Sequence, residues 1–505
     1  MTTRIQTEMP PAATEAPSAV PPCALVVFGG TGDLTHRKLL PALYNLFVDG
    51  VIHEHCVIVG VARQPQSSDD YRADMRKACD QFSRRKLDPA KWDAFAARLE
   101  YVAADFDDPA GYERLSMRLQ QIDFQHSLDG NRLFYLATPP VAFEGILRHL
   151  KTAALITPAG GTPWSRVIIE KPFGHDLASA RSLDDLVAGI LDESQTFRID
   201  HYLGKETVQN ILVLRFANSI FEPLWNRKYV ERVEITVAET VGVGTRGRFY
   251  DANGVLRDVV QNHLLELLAL TAMEAPNSLD ADDVRGEKLK VLNALRDFWD
   301  DTVARNVLLG QYRGYREERD VAPNSLTPTY AALRVFVDNW RWQGVPFILR
   351  TGKMLKERMT EIAVHMQPIP PTLFGSADLC EWVPGNVLTM RIQPDEGVQL
   401  QFASKIPGDR IQVGKVLMDM HYTQAFGGEP PEAYERLLHD AMLGNLTLFS
   451  RRDWVETSWA WMQPIFDYFD RNPPTDFPNY EPGGDGPARI MEFVRSERRR
   501  LVRGA

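Results

Sequence analysis

The sequence has little cysteine, no excess of positive charge and no long apolar run, and each lack excludes a class of protein. Its cysteines show no paired metal-binding spacing and are too sparse for a disulfide framework; they are Cys23, Cys56, Cys79 and Cys380. This scarcity is typical of a reducing cytosol, so we expect a cytoplasmic protein. A formal net charge of −10 argues against a nucleic-acid or anionic-membrane partner. No stretch reaches the roughly 18 apolar residues that span a bilayer.

The length predicts about two to four domains, and composition marks off both ends of the chain. Residues 1–21 are rich in proline, alanine and threonine, which predicts a disordered tail. The final SERRRLVRGA predicts a basic tail that frays into solvent. We therefore expect the folded domains to lie between these segments.

Short apolar runs alternate with helical patterns from residue 22 to residue 198. The runs are ALVVF, CVIVGVAR, RLFYLATPP and SRVIIEKPFG. Such alternation is typical of buried parallel strands joined by helices. We predict an α/β domain, 22–198, with a Rossmann-like doubly wound parallel sheet that binds a nucleotide.

The pattern changes in residues 199–505, where strands alternate apolar with polar residues. Examples are VERVEITVAE, ALRVFVDNW, NVLTMRIQP and VQLQFASK. This alternation is typical of a sheet that is wet on one face. Helical patterns such as VVQNHLLELLALTAME and RRDWVETSWAWMQPIFDYF lie between or after them. We therefore predict a larger α+β domain on a mainly antiparallel sheet.

The turn after the first predicted strand is rich in glycine. It reads Gly29, Gly30, Thr31, Gly32, Asp33 and Leu34. Glycines at a helix start allow close backbone approach, and the free amides bind a pyrophosphate. A plain structural turn is the alternative. At the end of the second strand stand Arg63 and Gln64 without a carboxylate, which favours the 2′-phosphate of NADP over a free 2′-hydroxyl. A surface arginine is the alternative there.

The segment FRIDHYLGKETVQN carries a carboxylate, an imidazole, a phenol and an ammonium in Asp200, His201, Tyr202 and Lys205. If this segment is helical, His201 and Lys205 share one face and can converge on one phosphate. The alternative is a solvated helix start with a chance pair.

Two further polar side chains stand in buried contexts. Lys171, in EKPFG, closes the fourth strand at its carboxyl end, where doubly wound sheets bind ligands. His263, in VVQNHLLELLAL, shares a helical stripe with Val259, Val260 and Leu267. An imidazole there is either a satisfied core histidine or a general base held by a carboxylate.

Glu239 and Asp258 flank the glycine-rich stretch TVGVGTRGRFYDANGVLRD. We interpret that stretch as a mobile loop between the sheet and the helix of His263. Its flanking carboxylates either accept sugar hydroxyls or are solvated loop charges.

Together these motifs resemble the glucose-6-phosphate dehydrogenase family in identity, order and spacing. They are GGTGDLTHRKLLPALYNL, GVAR, EKPFG, RIDHYLGKETVQN, AETVGV, LRDVVQNH and ILRTGK. The match covers nearly the whole chain beyond the tail. It implies oxidation of glucose 6-phosphate at C1 to 6-phosphoglucono-1,5-lactone, with hydride transfer to NADP, as the first step of the pentose phosphate pathway.

The resemblance also implies a role for each site residue. His263 takes the C1 hydroxyl proton, and Asp200 orients His263. Substrate binding falls to Lys171, His201, Tyr202, Lys205, Glu239, Asp258, Lys353 and Arg358. Coenzyme binding falls to Gly29, Gly30, Thr31, Gly32, Asp33, Leu34, Arg63, Ala104, Asp105 and Lys171.

No metal is implied. Gln64 resembles members of the family that accept NAD as well as NADP. Thr35 and His36 stand where the family often has Ala-Lys or Ala-Arg, so different contacts to the adenosine phosphate are expected. Met359 and Ala363 stand where animal members hold a second NADP with basic residues, so that site is not predicted. The family forms homodimers or homotetramers through the large sheet. Two alternatives stay open: an NADP-linked oxidoreductase of another sugar phosphate, and a nucleotide-sensing binding protein.

Overall fold

The computed structural model describes residues 20–52, 55–369, 385–409, 412–427 and 430–494. The predicted N-terminal tail up to residue 19, the predicted basic tail 496–505 and Cys380 lie outside these ranges. Val20, at the end of the predicted tail, is buried in a hydrophobic core that also contains Leu25 and Leu43.

The first sheet has seven strands in the order β3-β2-β1-β4-β5-β6-β15. Their bounds are β1 (Ala24–Phe28), β2 (Val57–Ala62), β3 (Leu99–Ala103), β4 (Arg132–Leu136), β5 (Ser165–Ile169), β6 (Thr196–Ile199) and β15 (Phe449–Ser450). The first six are parallel, and β15 runs antiparallel to β6. The order 3-2-1-4-5-6 is the doubly wound arrangement with its switch point beside β1. The predicted Rossmann-like sheet is confirmed.

Six helices accompany this sheet in the described ranges. They are α1 (Leu40–Val48), α2 (Ser68–Phe82), α3 (Pro89–Ala96), α4 (Pro109–His126), α5 (Phe143–Thr152) and α6 (Leu177–Ala188). Local sequence explains several starts: Ser67 and Asp70 form a capping box on α2, and Asp88 caps α3 ahead of a proline. A wide π-helical turn, Thr35–Leu39, leads from the glycine-rich turn into α1.

The second sheet has eight strands in the order β14-β13-β12-β11-β7-β10-β9-β8. Their bounds are β7 (Val230–Ala238), β8 (Val307–Gly310), β9 (Tyr330–Phe336), β10 (Pro346–Gly352), β11 (Met359–Met366), β12 (Val387–Gln393), β13 (Gly397–Lys405) and β14 (Val413–His421). All neighbours are antiparallel except β7 and β10, which are parallel. The predicted mainly antiparallel sheet is confirmed.

The remaining described helices belong to the C-terminal part of the chain. They are α7 (Glu206–Phe216), α8 (Gly247–Val255), α9 (Leu265–Ala272), α10 (Ala281–Asn293), α11 (Asp300–Asn306), α12 (Tyr422–Phe426), α13 (Ala433–Leu443) and α14 (Arg452–Arg471). A π-helical segment, Leu256–Leu264, joins α8 to α9. Within the described ranges no helix is both long and apolar enough to cross a membrane.

The glycine-rich stretch before the π-helical segment differs from its prediction. Residues 240–258 are not a mobile loop, because α8 and the start of the π-helical segment occupy most of them. Gly254, at φ 64°, allows the kink inside α8. Glycine adopts a positive φ more easily than other residues, which explains why the residue at this kink is a glycine.

Part of the C-terminal chain returns to the first sheet. Apolar side chains of α13, among them Leu437, Leu438 and Met442, share a core with α1. β15 then pairs with β6, so that Phe449 faces Ile199. The first sheet thus includes residues from beyond the boundary predicted at residue 199, and that boundary stays a prediction.

Candidate active site

A cleft of about 450 Å³ opens at the carboxyl ends of β1, β5 and β6. Asp33 and Leu34 line it after β1, Lys171 after β5 and His201 after β6. The helical stretch from α8 into the π-helical segment, including Asp258, closes the opposite wall. Ligands of doubly wound sheets bind at this carboxyl edge, so the cleft is where the predicted site residues should meet.

His263 and Asp200 form a buried imidazole–carboxylate pair beside the cleft. The Nδ1 atom of His263 donates to Asp200 Oδ1 at 2.5 Å, and the Nζ atom of Lys171 lies 2.8 Å from His263 Nε2. A carboxylate only accepts and an ammonium only donates, so Nδ1 carries the ring proton and Nε2 accepts. His263 is therefore a neutral imidazole whose Nε2 lone pair accepts from the Lys171 ammonium. Its surroundings are polar and not the apolar stripe that spacing alone indicated.

The charges around this pair are consistent with that state. Burial opposes ionisation of Asp200, but His263, His201 and Lys171 together hold the pKa of Asp200 well below its usual range. Burial and the nearby Lys171 ammonium lower the pKa of His263, although Asp200 acts in the opposite direction. Asp200 is thus ionised and His263 is unprotonated near neutral pH.

The π-helical backbone brings Asp258 and His263 together. The two residues are five apart, and an α-helix would turn them about 140° away from each other. A π-helix pairs residues five apart, so both side chains face the same way. Lys171 Nζ donates to the backbone oxygen of Asp258 at 2.9 Å and lies 3.5 Å from its Oδ1 atom. Burial opposes ionisation, but Lys171 and Arg246 bring the pKa of Asp258 down to about 2.

The segment from His201 to Lys205 is a turn and not the helical face considered from the sequence. The helix α7 begins only at Glu206, with Lys205 as the residue before it. Tyr202 stacks on His263 with ring centres 4.2 Å apart, and His201 meets the same ring edge-on at 4.7 Å. The imidazole of His263 is thus held by aromatic contacts as well as by Asp200.

Lys205 is partly buried, and its ammonium donates to Gln393 Oε1 at 2.6 Å. Burial lowers the pKa of Lys205, and the positive charge of Arg358 adds to that effect. Arg358 itself is exposed. Gln393, which lies at the end of β12, had no signal in the local sequence.

Glu239 and Lys353 meet because β7 and β10 are parallel neighbours. Each residue follows the carboxyl end of its strand, and the Lys353 ammonium is paired with the Glu239 carboxylate. Glu239 is partly exposed whereas Lys353 is buried. The sequence placed both residues in the site but did not predict that they contact each other.

The glycine-rich turn fits a dinucleotide pyrophosphate. Gly29 has φ 86°, and a Cβ there would lie 2.4 Å from the backbone oxygen of Ala137. A Cβ on Gly30 would lie 2.7 Å from the Cα of Gly60. Only glycine fits in both positions, and the amides of both donate to Val61 O, which fixes the turn against β2.

The other predicted coenzyme residues follow neighbouring strands of the first sheet. Arg63 and Gln64 come after β2 and are exposed, whereas Ala104 is buried and Asp105 exposed after β3. Arg63 stands at the strand end that meets the adenosine ribose in such sheets. His36 is one of the two residues that depart from the family pattern. Its ring nitrogens lie 2.9 Å from Gly32 O and 2.7 Å from Asp74 Oδ2.

Several cleft residues were missed from the sequence. Glu170, beside Lys171, is half-buried and accepts hydrogen bonds from Tyr135 at 2.5 Å and Tyr434 at 3.2 Å. Burial raises the pKa of Glu170. The motif EKPFG pointed to this position, but no local pattern marked Tyr434 or Arg246.

Asp200, His201 and His263 also offer three ligand atoms within 4.8 Å of one another. Their chemistry does not suit a metal ion, because Nδ1 of His263 is engaged with Asp200 and the Lys171 ammonium lies 2.8 Å from Nε2. A cation there would be repelled by that ammonium.

Comparisons with known proteins agree with these features. Residues 26–210 match the NAD binding domain of glucose-6-phosphate dehydrogenase, and residues 212–501 match its C-terminal domain. Glucose-6-phosphate 1-dehydrogenase of Chlamydia pneumoniae is 44% identical over 96% of each chain, and that of Bacillus subtilis is 40% identical over 94% of this chain and 97% of the other.

A solved structure of glucose-6-phosphate dehydrogenase in complex with glucose-6-phosphate has a TM-score of 0.86 and 34% identity, over 96% of this chain and 99% of the other. The structure of glucose-6-phosphate 1-dehydrogenase from Mycobacterium avium has a TM-score of 0.79 and 36% identity, over 94% and 98%. The resemblance inferred from the motifs is confirmed. The chain belongs to the glucose-6-phosphate dehydrogenase family of oxidoreductases.

Proposed function

We propose that this protein oxidises glucose 6-phosphate at C1 to 6-phosphoglucono-1,5-lactone, with hydride transfer to NADP. The observation that carries the proposal is the neutral His263, which is oriented by Asp200 and whose Nε2 contacts Lys171, a residue that lines the cleft. The names of two similar proteins support the same substrate.

In this proposal His263 Nε2 takes the proton of the C1 hydroxyl. The Nδ1–H bond to Asp200 stabilises the imidazolium that forms. Removing this proton as the hydride leaves C1 is worth about 10²- to 10⁴-fold in rate. The sugar hydroxyl replaces the Lys171 ammonium at Nε2, which leaves that ammonium to hold the sugar and the coenzyme.

The phosphate is assigned to His201, Tyr202 and Lys205. Lys205 is a partly buried ammonium whose only described acceptor is the neutral amide of Gln393, so an anion would replace that amide with a charged partner. The phosphate lies far from the reacting carbon, and its binding energy positions the sugar. The sugar hydroxyls are assigned to Glu239, Asp258, Lys353 and Arg358.

The coenzyme is assigned to the glycine-rich turn, to Arg63 and to the residues after β3. When bound, NADP supplies the nicotinamide carbon that accepts the hydride. The turn holds the pyrophosphate through backbone amides, and Arg63 favours the 2′-phosphate of NADP. Gln64 has no carboxylate that would repel this phosphate. Because Gln64 also resembles the residue of family members that accept NAD, we propose NAD as a second hydride acceptor.

The test is the formation of reduced nicotinamide from glucose 6-phosphate, with NADP and NAD compared side by side. Unphosphorylated glucose and the 6-phosphates of its C2 and C4 epimers serve as controls. Turnover confined to glucose 6-phosphate supports both the phosphate and the hydroxyl assignments. Turnover with an epimer alone would assign the protein to another sugar phosphate, and nucleotide binding without turnover would make it a binding protein.

We also propose that the chain is a homodimer or homotetramer assembled through the second sheet. The strand β14 lies at an edge of that sheet and exposes Val416, Leu417 and Met418 in succession. Such an apolar edge favours a covered surface. Light scattering of the purified protein tests this, and Leu417→Glu with Met418→Glu should reduce the assembled fraction.

A further inference from the structure

A second carboxylate is buried next to the pair of His263 and Asp200. Glu266 lies three residues after His263, at the start of α9, and has no exposed surface. Its carboxylate pairs with the ammonium of Lys288, in α10, at 2.6 Å and accepts from Ser450 Oγ, in β15, at 2.8 Å. The mechanism proposed above does not use any of these three groups.

Stability does not account for such a pair. Each buried ion loses hydration worth several kcal/mol, and apolar residues of equal volume often stabilise a protein as well or better. The Lys288 ammonium also lies 4.9 Å from the ring centre of Trp454, so aromatic and carboxylate groups surround it. A leucine and a methionine would fill the same volume without the loss of hydration that this charge pair carries.

A small cavity lies between Glu266 and Asp200. It has a volume of about 10 Å³, and its lining includes Asp200, Glu266, Ser450 and Gln261. Asp200 Oδ1 already accepts from His263 Nδ1 and from the amide of Tyr202. Asp200 Oδ2 is buried, and no donor among the described residues reaches it. The cavity has the size of one water and the polar lining that a water needs.

We propose that Glu266 is a positioning residue for the reaction. Its carboxylate, fixed by Lys288 and Ser450, accepts one hydrogen of a water in this cavity, whose other hydrogen is donated to Asp200 Oδ2. This contact fixes the rotation of the Asp200 carboxylate so that Oδ1 stays on His263 Nδ1. The negative charge of Glu266 also favours the protonated form of His263 and so strengthens it as a base.

The charges that face these groups come from several elements. His263 is faced by Asp200, Lys171, Asp258 and His201, whereas Glu266 is faced by Lys288 and Asp200. Burial and the Asp200 charge raise the pKa of Glu266, and Lys288 opposes both. The Glu266 carboxylate is thus close enough to Asp200 for their charges to interact, and Lys288 is its cationic partner.

The inference rests on the proposed function, and the test separates the two. Glu266→Gln removes the charge and retains the shape, and the double variant Glu266→Gln/Lys288→Met also removes the unpaired ammonium. The matched control is Glu287→Gln/Lys290→Met, because that pair has the same composition, lies on the same α10 and is 2.6 Å apart with Lys290 exposed. The kcat and kcat/KM of all four proteins are measured against pH with glucose 6-phosphate and NADP.

We expect Glu266→Gln to move the acid limb of kcat/KM to lower pH by about 0.5 unit or more, since His263 loses a neighbouring negative charge. The value of kcat should fall while KM for glucose 6-phosphate stays within about twofold of the original. The double variant should show a smaller shift in the same direction, and the control none. Substrate ionisation is the same in every sample and cancels from the comparison.

The pKa of His263 is also read without substrate, by nitrogen NMR of histidine-labelled protein, with the signal assigned by its loss in His263→Asn. An inactive parent protein would overturn the proposed function, and this titration would still decide the inference. An acid limb and a His263 pKa unchanged in the folded double variant would overturn the inference. If Glu266→Gln does not fold, the double variant alone decides.

Discussion

The two sides of the cleft are built in different ways. The side proposed for the coenzyme consists of backbone and exposed groups: Gly29 and Gly30 approach their neighbours closely, and Arg63 is exposed. The side proposed for the substrate includes buried side chains, with Asp200 and His263 both almost fully covered. Binding of a large anionic nucleotide needs donors that are open to it. A proton acceptor instead needs a fixed ring and a controlled charge.

The difference predicts how each side responds to substitution. Removing an exposed group should weaken binding of one ligand and leave the rest of the site intact. Removing a buried group should change the rate itself, because its neighbours lose their partners. The following experiments test this contrast, beginning with the largest expected effect.

His263→Ala removes the proton acceptor on the buried side. We expect kcat to fall by about 10²- to 10⁴-fold, with KM for glucose 6-phosphate nearly unchanged, because the phosphate contacts stay in place. Steady-state kinetics measures both values, and His126→Ala, at the end of α4, is the control. Near-normal kcat in a folded His263→Ala variant would show that another group is the base.

Lys205→Met removes the partly buried ammonium assigned to the phosphate. We expect KM for glucose 6-phosphate to rise by about 10- to 100-fold, since a hydrogen bond to a charged group is worth about 1.5–3 kcal/mol. Lys290→Met, at an exposed lysine of α10, should leave KM unchanged. A loss confined to kcat would contradict the assignment and would place Lys205 with the buried catalytic groups.

Arg63→Met removes the exposed guanidinium from the coenzyme side. We expect KM for NADP to rise by about tenfold while KM for NAD changes little, because only NADP carries the 2′-phosphate. The ratio of kcat/KM for the two coenzymes measures the effect, and NAD is the internal control. An equal fall in kcat/KM with both coenzymes would mean that Arg63 does not bind the 2′-phosphate.

The smallest expected effect is the change in activity of the unmodified protein with pH. The base must be unprotonated to act, and burial together with Lys171 lowers the pKa of His263 below its ordinary 6.5. Activity should therefore rise with pH, with a midpoint below about pH 6.5. The measurement is kcat/KM across the acid range, because this ratio reports the ionisation of the free protein. A midpoint above 6.5 would show that Asp200 outweighs the effect of burial.

The parts of the fold and site that the sequence predicted are those whose signals are local. The parallel strands and the glycine-rich turn follow from runs of neighbouring residues. Lys171 was placed at the ligand-binding edge because it follows a predicted strand, whereas the strand before Asp200 was not predicted and only the resemblance assigned Asp200 to the same site. The resemblance then assigned His263, whose spacing alone left two interpretations.

The parts that were missed depend on distant residues or on unusual backbone. His201 and Lys205 do not share a helical face, because Asp200 accepts the amide of Tyr202 and turns the chain there. Gln393 and Tyr434 reach the site from far along the chain, so no nearby pattern could indicate them. The stretch 240–258 has the composition of a loop, but its tertiary contacts make most of it helical.

The late strand β15 has a consequence for the synthesis of this protein. On the ribosome, the coenzyme domain cannot acquire its last strand, or the helix α13 that covers α1, until residues 433–450 have emerged. Until then, the nascent chain carries an apolar surface that has no native partner and that chaperones must shield. A product truncated before residue 433 would therefore be a target for aggregation and proteolysis, and it would not supply the cell with an independent nucleotide-binding domain.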